Sequence, residues 1–167
     1  MTEETAKALL DFLLPQLQQE FATTRKVLAA VPAEHSSYKP SDRCMSGLDL
    51  ATHIAAAEVF FLAGVLNGAF EWKQPDLKTP AEVLAYYDQH VPPLMQKVGE
   101  LPAPKLAQPI TLAVWTEPAV VYLNINLKHS VHHRGQLSAY LRPMGAKVPS
   151  IYGPSADESL EEAAAGH

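Results

Sequence analysis

Three of the seven histidines lie in one short segment that has a helical period, His129-Ser-Val-His132-His133-Arg134-Gly135-Gln136. In an α-helix His129 and His133 differ by about 40° around the axis and lie one turn apart, so both imidazoles can point at one metal ion. His132 is about 60° from His129 on the other side and competes for the same role. The 129/133 pair is favoured because it continues the inward stripe of Tyr122 and Asn126. Two histidines need a third ligand from elsewhere in the chain.

A second helical stretch, residues 47–67, contains the candidate for that third ligand. His53 interrupts an otherwise apolar and small-residue stripe, whose other members are Leu50, Ile54, Ala57, Phe60, Phe61 and Gly64. A buried neutral imidazole needs a polar partner, because burying it without one is unfavourable. Two interpretations stay open for His53: a hydrogen-bonded core histidine, or a ligand of the same ion as the 129/133 pair.

The chemistry of such a site follows from its donors. Three neutral imidazoles suit Zn, Ni, Cu, Fe or Mn and leave coordination positions open for water or substrate. A metal ion held in this way lowers the pKa of a bound water or thiol, which supplies a nucleophile near neutral pH.

Several polar residues are candidates for orienting the histidines or the substrate. Asn126 lies one turn before His129, and Asp49 lies one turn before His53. Asp49 is also a first-turn acid that favours the helix dipole, and that role is preferred for it. Tyr122 and Arg134 are the other polar candidates near the site, and Arg134 suits either an anionic substrate or an ordinary ion pair.

Four helices are predicted to carry these residues. They run from about Glu3 to Ala30, from Gly47 to Asn67 after the N-cap Ser46, from Pro80 to about Val98, and from Thr116 as N-cap to Leu141. Pro15 predicts a kink or a separate first piece in the first helix, and Pro92-Pro93 predicts a bend or an early end in the third. The stretch from Leu101 to about Pro109 is predicted to be a loop, and Ile110 to Trp115 is ambiguous, with an extended segment possible.

These elements predict an all-α fold, a four-helix bundle with long crossover loops and a short C-terminal helix. The 167 residues fit one domain, 1–167, whose tail from residue 155 is expected to be frayed, with a short acidic helix from about Ala156.

Composition excludes several functions. A net charge of -5 with scattered Lys and Arg argues against nucleic-acid binding and against a polybasic membrane patch. No stretch approaches 18 apolar residues and no secretory leader is present, so a cytoplasmic protein without a membrane span is expected. The single cysteine, Cys44, excludes an internal disulfide. The Glu-x-x-His pairs of di-iron bundles do not occur, which favours one metal over two.

The chain resembles the DinB/YfiT-like family, whose members are regarded as metalloenzymes. The resemblance covers about Phe12 to Gly153. Two motifs carry it: His129-x-x-x-His133-Arg-Gly-Gln-Leu-x-x-Tyr-Leu-Arg-x-x-Gly145, and Tyr38-Lys-Pro followed by Ser46-Gly-Leu-x-Leu-Ala-Thr-His53. It implies a four-helix bundle with a divalent metal held by His53, His129 and His133, often in a homodimer. Some members are thiol-dependent transferases or isomerases that use bacillithiol or mycothiol.

Motifs and resemblance together predict a metal-dependent thiol S-transferase, or a related transferase or hydrolase, that acts on a small electrophilic molecule. Zn or Ni is expected ahead of Fe or Mn, with a low-molecular-weight thiol as co-substrate. The alternative is a metal-binding, stress-associated dimer without catalysis. A third interpretation is a bundle whose histidines only pack.

Overall fold

Four long helices form the body of the molecule, of which the computed structural model describes residues 1–159 and Glu161. The elements are α1 Glu3–Ala29, α2 Gly47–Asn67, α3 Pro80–Gly99, α4 Ala103–Ala107, β1 Pro109–Leu112, β2 Trp115–Pro118 and α5 Ala119–Leu141. Helix α2 packs against α3 and α5, while α1 packs against α5, α3 and α4. The expected all-α bundle is confirmed, and α2 and α5 are neighbours in it.

The ends of α2 are where the sequence predicts them because both caps are local. The Ser46 hydroxyl accepts from the Asp49 backbone N–H at 3.0 Å, and the Asp49 carboxylate accepts from the Ser46 backbone N–H at 3.3 Å. This reciprocal pair is a capping box. At the other end Gly68 adopts a left-handed φ of 73°, which ends the helix at little steric cost. Asp49 therefore serves the helix end, as preferred.

Helix α2 is the most apolar element of the chain. Contrary to the expectation from the sequence, it is long and apolar enough to cross a membrane, with a mean hydropathy of 1.5. However, 67% of the apolar window is buried inside the bundle. A core helix that packs against two neighbours needs this composition, so burial accounts for its hydropathy.

The prolines do not divide the helices. Helix α1 is one 27-residue helix through Pro15, so the prediction of a separate first piece is wrong. Helix α3 continues through Pro92 and Pro93 to Gly99, so the predicted early end is wrong as well. A proline removes a backbone donor inside a helix, but tertiary packing supplies most helical stability. The buried side chains Val91 and Met95 hold the turns around the proline pair.

The connection before α5 is more ordered than the sequence suggests. Residues 109–118 form an antiparallel hairpin, and Thr116 lies in β2, where its hydroxyl is 2.8 Å from that of Thr111. The prediction that Thr116 caps the last helix is therefore wrong, and α5 begins at Ala119. The predicted loop from Leu101 to Pro109 contains α4, whose Leu106 is buried against the bundle.

The predicted acidic helix at the C-terminus is not found where the structure describes the chain continuously. Residues 156–159 are irregular, and apart from Glu161 the rest of the predicted helix lies outside the described residues. The preceding segment is held to the bundle by Tyr152, whose hydroxyl lies 2.9 Å from a carboxylate oxygen of Glu20.

Candidate metal centre

Helices α2 and α5 bring three histidines together. Ring nitrogens of His53, His129 and His133 all lie within 4.8 Å of one another. The Nε2 atoms of His53 and His129 are 3.1 Å apart. The ring of His133 lies 4.7 Å from that of His53 and 4.5 Å from that of His129, centroid to centroid. The inward stripes of the two helices therefore converge as their sequence periods predict.

The donor set fits a divalent metal ion. A tetrahedral Zn with Zn–N bonds of about 2.05 Å places its nitrogen ligands about 3.4 Å apart. The observed nitrogens span this spacing, from 3.1 Å to within 4.8 Å, so small ring rotations would let them share one ion. Each of the three side chains is only partly buried, which leaves one side of the group accessible.

The environment keeps these imidazoles neutral. Burial lowers the pKa of His129 to about 4, helped by the nearby rings of His133, His53 and His132. Burial also lowers the pKa of His53, and the proximity of His133 lowers it further by a smaller amount. Burial also lowers the pKa of His133, although its hydrogen bond to Gln136 acts in the opposite direction. Since only a neutral imidazole binds a metal, all three are competent donors at neutral pH.

His132 lies outside the group. Its side chain is exposed, and its ring meets that of His133 edge-on at 4.8 Å between centroids. It faces a cavity between α1 and α5 that Lys128 and Tyr152 also line. Its influence on the group is electrostatic, because its proximity lowers the pKa of His133 and His129.

Aromatic side chains form the walls around the histidines. Trp72, from the connection between α2 and α3, lies 5.9 Å from His53, and Phe61 lies 5.7 Å from His129. Phe60 lies edge-on to Trp72 with 5.4 Å between the ring centroids. These rings shield part of the site from water and supply an apolar surface beside it.

The polar residues predicted to lie behind the histidines have other partners. Tyr122 donates to the backbone carbonyls of Ile110 and Trp115, and so anchors the hairpin. Asn126 donates to Glu58 at 3.0 Å. Arg134 is buried and forms an ion pair with Glu20 at 2.5 Å on α1. Tyr122 and Asn126 thus bond to groups other than the three histidines, and Arg134 forms the ion pair that was one of its two predicted roles.

A different residue contacts the group. Gln136 lies one turn after His133, and its Oε1 is 3.2 Å from His133 Nδ1. Residues three apart on a helix are neighbours, so the His-x-x-Gln spacing in the sequence was a signal for this contact.

The burial of a carboxyl group in the core, that of Glu58, was not predicted from the sequence. Glu58 is 3% exposed and accepts hydrogen bonds from Asn126 and Ser130 across the α2–α5 interface. Burial raises its pKa to about 7, against the opposing effect of those two bonds and of Arg134. Asn126 Oδ1 is buried and has no hydrogen-bond partner among the described residues. Glu58 therefore belongs to the packing of two helices and not to the metal group.

A helical bundle with convergent histidines on two neighbouring helices defines a class of proteins that build metal sites in the bundle core. The DinB family model matches residues 1–164 of the chain. The chain belongs to the DinB family.

Its relatives agree with this assignment. The chain is 30% identical over 130 residues to the uncharacterized protein YjoA of Bacillus subtilis, which spans 73% of this chain and 82% of YjoA. The crystal structure of the DinB-like YjoA superposes with a TM-score of 0.70 at 22% identity, covering 83% of this chain and 96% of that one. A DinB-like protein from Bacillus cereus gives a TM-score of 0.72 at 22% identity, covering 86% and 97%. These structures establish the shared fold.

Proposed function

We propose that the chain binds one divalent metal ion through His53, His129 and His133 and uses it to transfer a low-molecular-weight thiol to a small electrophilic molecule. The observation that carries this proposal is the convergence of three ring nitrogens within 4.8 Å on partly exposed side chains. A site built only for stability would gain nothing from that exposure, whereas a reacting site needs an open position.

The contributions of the chain can be separated from that of the metal. When bound, the metal ion supplies Lewis acidity that lowers the pKa of a thiol or water ligand. The three imidazoles hold the ion, and their lowered pKa values keep them unprotonated. Trp72 and Phe61, next to His53 and His129, offer an apolar surface to the electrophile. Zn or Ni is proposed ahead of Fe or Mn, because a site of nitrogen donors generally binds divalent Fe and Mn most weakly among the first-row metals.

Metal analysis of the native protein tests the first half of the proposal. We expect about one Zn or Ni per chain, lost in His53→Ala and in His129→Ala. His35→Ala is the matched control, because His35 is exposed in the connection after α1. Absence of stoichiometric metal from the wild-type protein, purified without chelator, would overturn the proposal and leave histidines that only pack.

Turnover tests the second half. The metal-loaded protein is assayed with electrophiles such as haloarenes, epoxides and maleyl compounds against bacillithiol, mycothiol, glutathione and cysteine, with His129→Ala as blank. Thiol consumption above the blank supports the transferase. If metal binds at one per chain and no thiol is consumed, the result favours the alternative of a metal-binding protein without catalysis. That alternative is supported by the origin of the ligands on two helices, α2 and α5, because a metal ion that links two helices also stabilises the fold.

The assembly and compartment are further proposals. We propose a homodimer in the cytoplasm that binds small molecules and neither nucleic acid nor membranes, in line with the net charge of -5. Light scattering on the purified protein measures the molar mass, and a value near 18 kDa, the mass of one chain, would contradict the dimer.

A further inference from the structure

A short chain of hydrogen bonds runs outward from the third histidine of the group. Gln136 Oε1 lies 3.2 Å from His133 Nδ1, and Gln136 Nε2 donates to the Tyr140 hydroxyl at 3.2 Å. Tyr140 is 5% exposed, and the ring of Tyr38 packs edge-on against it. The far end of the chain is therefore fixed by packing.

The amide of Gln136 determines which atoms donate and which accept along this chain of hydrogen bonds. A glutamine amide has one accepting and one donating end. With its Nε2 turned to Tyr140, its Oε1 accepts a hydrogen bond from His133 Nδ1–H. A neutral imidazole that carries its proton on Nδ1 keeps a bare lone pair on Nε2, which is the form that binds a metal through Nε2.

His133 differs in this respect from the other two histidines. Within the described chain, the recorded polar contact of His53 and His129 is the 3.1 Å approach of their Nε2 atoms to each other. A hydrogen bond between these two neutral rings needs one Nε2–H and one bare Nε2, and no other contact within the described residues fixes which ring donates. His133 alone of the three is tied to a side chain outside the group.

We propose that Gln136, held in place by Tyr140, is a positioning residue that fixes the tautomer and orientation of His133 and thereby prepares the site for metal. The inference rests on the proposed function for the metal, but the tautomer of His133 is a property of the metal-free protein. The two ideas can therefore fail separately.

The experiment uses the full-length chain and four variants. Gln136→Ala removes the acceptor, and Gln136→Glu keeps an oxygen toward His133 while its other oxygen accepts from the Tyr140 hydroxyl. Tyr140→Phe leaves Gln136 without its support. Gln96→Ala is the control, because Gln96 is exposed on α3 and bonds only to Glu100 among the described residues. Zinc affinity is measured by competition with a chromophoric chelator, and the tautomer of His133 by ¹⁵N NMR of the metal-free protein.

The expected results follow from the usual effect of residues that orient metal ligands. Zinc affinity falls about 10- to 100-fold in Gln136→Ala, less in Tyr140→Phe, and stays within about 3-fold of wild type in Gln136→Glu and Gln96→Ala. The ¹⁵N spectrum shows His133 with its proton on Nδ1 in the wild type, and as a mixture of both tautomers in Gln136→Ala.

Three outcomes overturn the inference. One is Gln136→Ala with wild-type zinc affinity and a single His133 tautomer. Another is a folded Gln136→Glu that loses as much affinity as Gln136→Ala. The last is a wild-type spectrum with the His133 proton on Nε2. A wild-type protein that binds no zinc would instead refute the metal proposal, and the spectra would still decide the role of Gln136.

Discussion

At the scale of single residues, Glu58 couples the stability of the bundle to pH. Its carboxyl group is buried between α2 and α5, and burial raises its pKa from 4.5 to about 7. Between pH 4.5 and about pH 7 the Glu58 carboxyl group is protonated in the folded protein and ionised in the unfolded chain. The free energy of unfolding contributed by Glu58 is therefore fully present below the unfolded pKa and declines as pH rises through the folded one.

Glu58→Gln removes this dependence, because an amide does not titrate. We expect the stability of the variant relative to wild type to improve between pH 5 and pH 8, by at most about 3 kcal/mol. Urea unfolding at the two pH values measures the difference. Glu100→Gln, at an exposed position, is the control and should show no such trend. A constant offset between Glu58→Gln and wild type at both pH values would contradict the prediction.

Single residues also show how much of the candidate site could be predicted from the sequence. His53, His129 and His133 are predictable, because a helical period fixes which residues share a face. The partners of Glu58 are not, because they depend on which helix lies beside α2 and on its rotation. For the same reason Asn126 was assigned to His129 on its own helix, although its amide reaches across to Glu58.

At the scale of elements, Gly64 sets how the connection after α2 lies on that helix. A Cβ atom at this position would stand 2.1 Å from Cδ1 of Phe70, so only a glycine admits the ring. Phe70 also meets Tyr122 at 4.8 Å, and Trp72 follows it to the side of His53. The position of Trp72 beside the metal group thus depends on the absence of a side chain at Gly64.

Gly64→Ala is expected to displace Phe70 and lower the stability by about 1–3 kcal/mol, the usual cost of overpacking. Trp72 fluorescence should shift to longer wavelength as its ring leaves His53. Gly135→Ala is the matched control: a Cβ there meets no atom within 4 Å, so the helix should gain about 0.5–1 kcal/mol. Equal thermal unfolding temperatures for the two variants would count against this account.

The elements were predicted well where their ends are locally encoded. Ser46 and Gly68 mark α2 without reference to the rest of the fold. The extended segment raised for Ile110 to Trp115 is present, but its pairing as a hairpin was not predicted, because strands of four residues carry little periodicity and this pair is anchored from outside by the Tyr122 hydroxyl. The helix through Pro92 and Pro93 was underestimated, since burial of its apolar face outweighs the local cost of proline.

At the scale of the whole molecule, Arg134 joins α5, α1 and the C-terminal segment. Its side chain is 1% exposed, pairs with Glu20, and donates to the Tyr152 hydroxyl at 2.5 Å. Removing one member of a buried ion pair leaves the other charge without compensation. Arg134→Leu should therefore cost about 3–5 kcal/mol in urea unfolding.

Arg25→Leu is the control for that variant, because the Arg25–Asp88 pair is half-exposed and bidentate. Surface pairs contribute about 0–1 kcal/mol, so a small effect is expected there. Similar losses in the two variants would show that burial of Arg134 has no special weight.

Bound metal should stabilise the entire bundle, since its proposed ligands come from two helices. With free zinc at about 100 times its dissociation constant, the free energy of unfolding should rise by about 2.7 kcal/mol. Thermal unfolding with and without zinc measures this effect, and His129→Ala should abolish it. A zinc-dependent increase that persists in His129→Ala would place the bound metal elsewhere.

The distance along the chain between the first and the later histidines has a consequence for biosynthesis. His53 and His129 are separated by 76 residues, and α3 with the hairpin must fold in between. A nascent polypeptide that has emerged from the ribosome only as far as α3 offers just one of the three proposed ligands, His53. Under the proposed function, loading with metal is a post-translational event. Fragments that stop short of α5 lack two of the three proposed ligands and should therefore bind metal weakly.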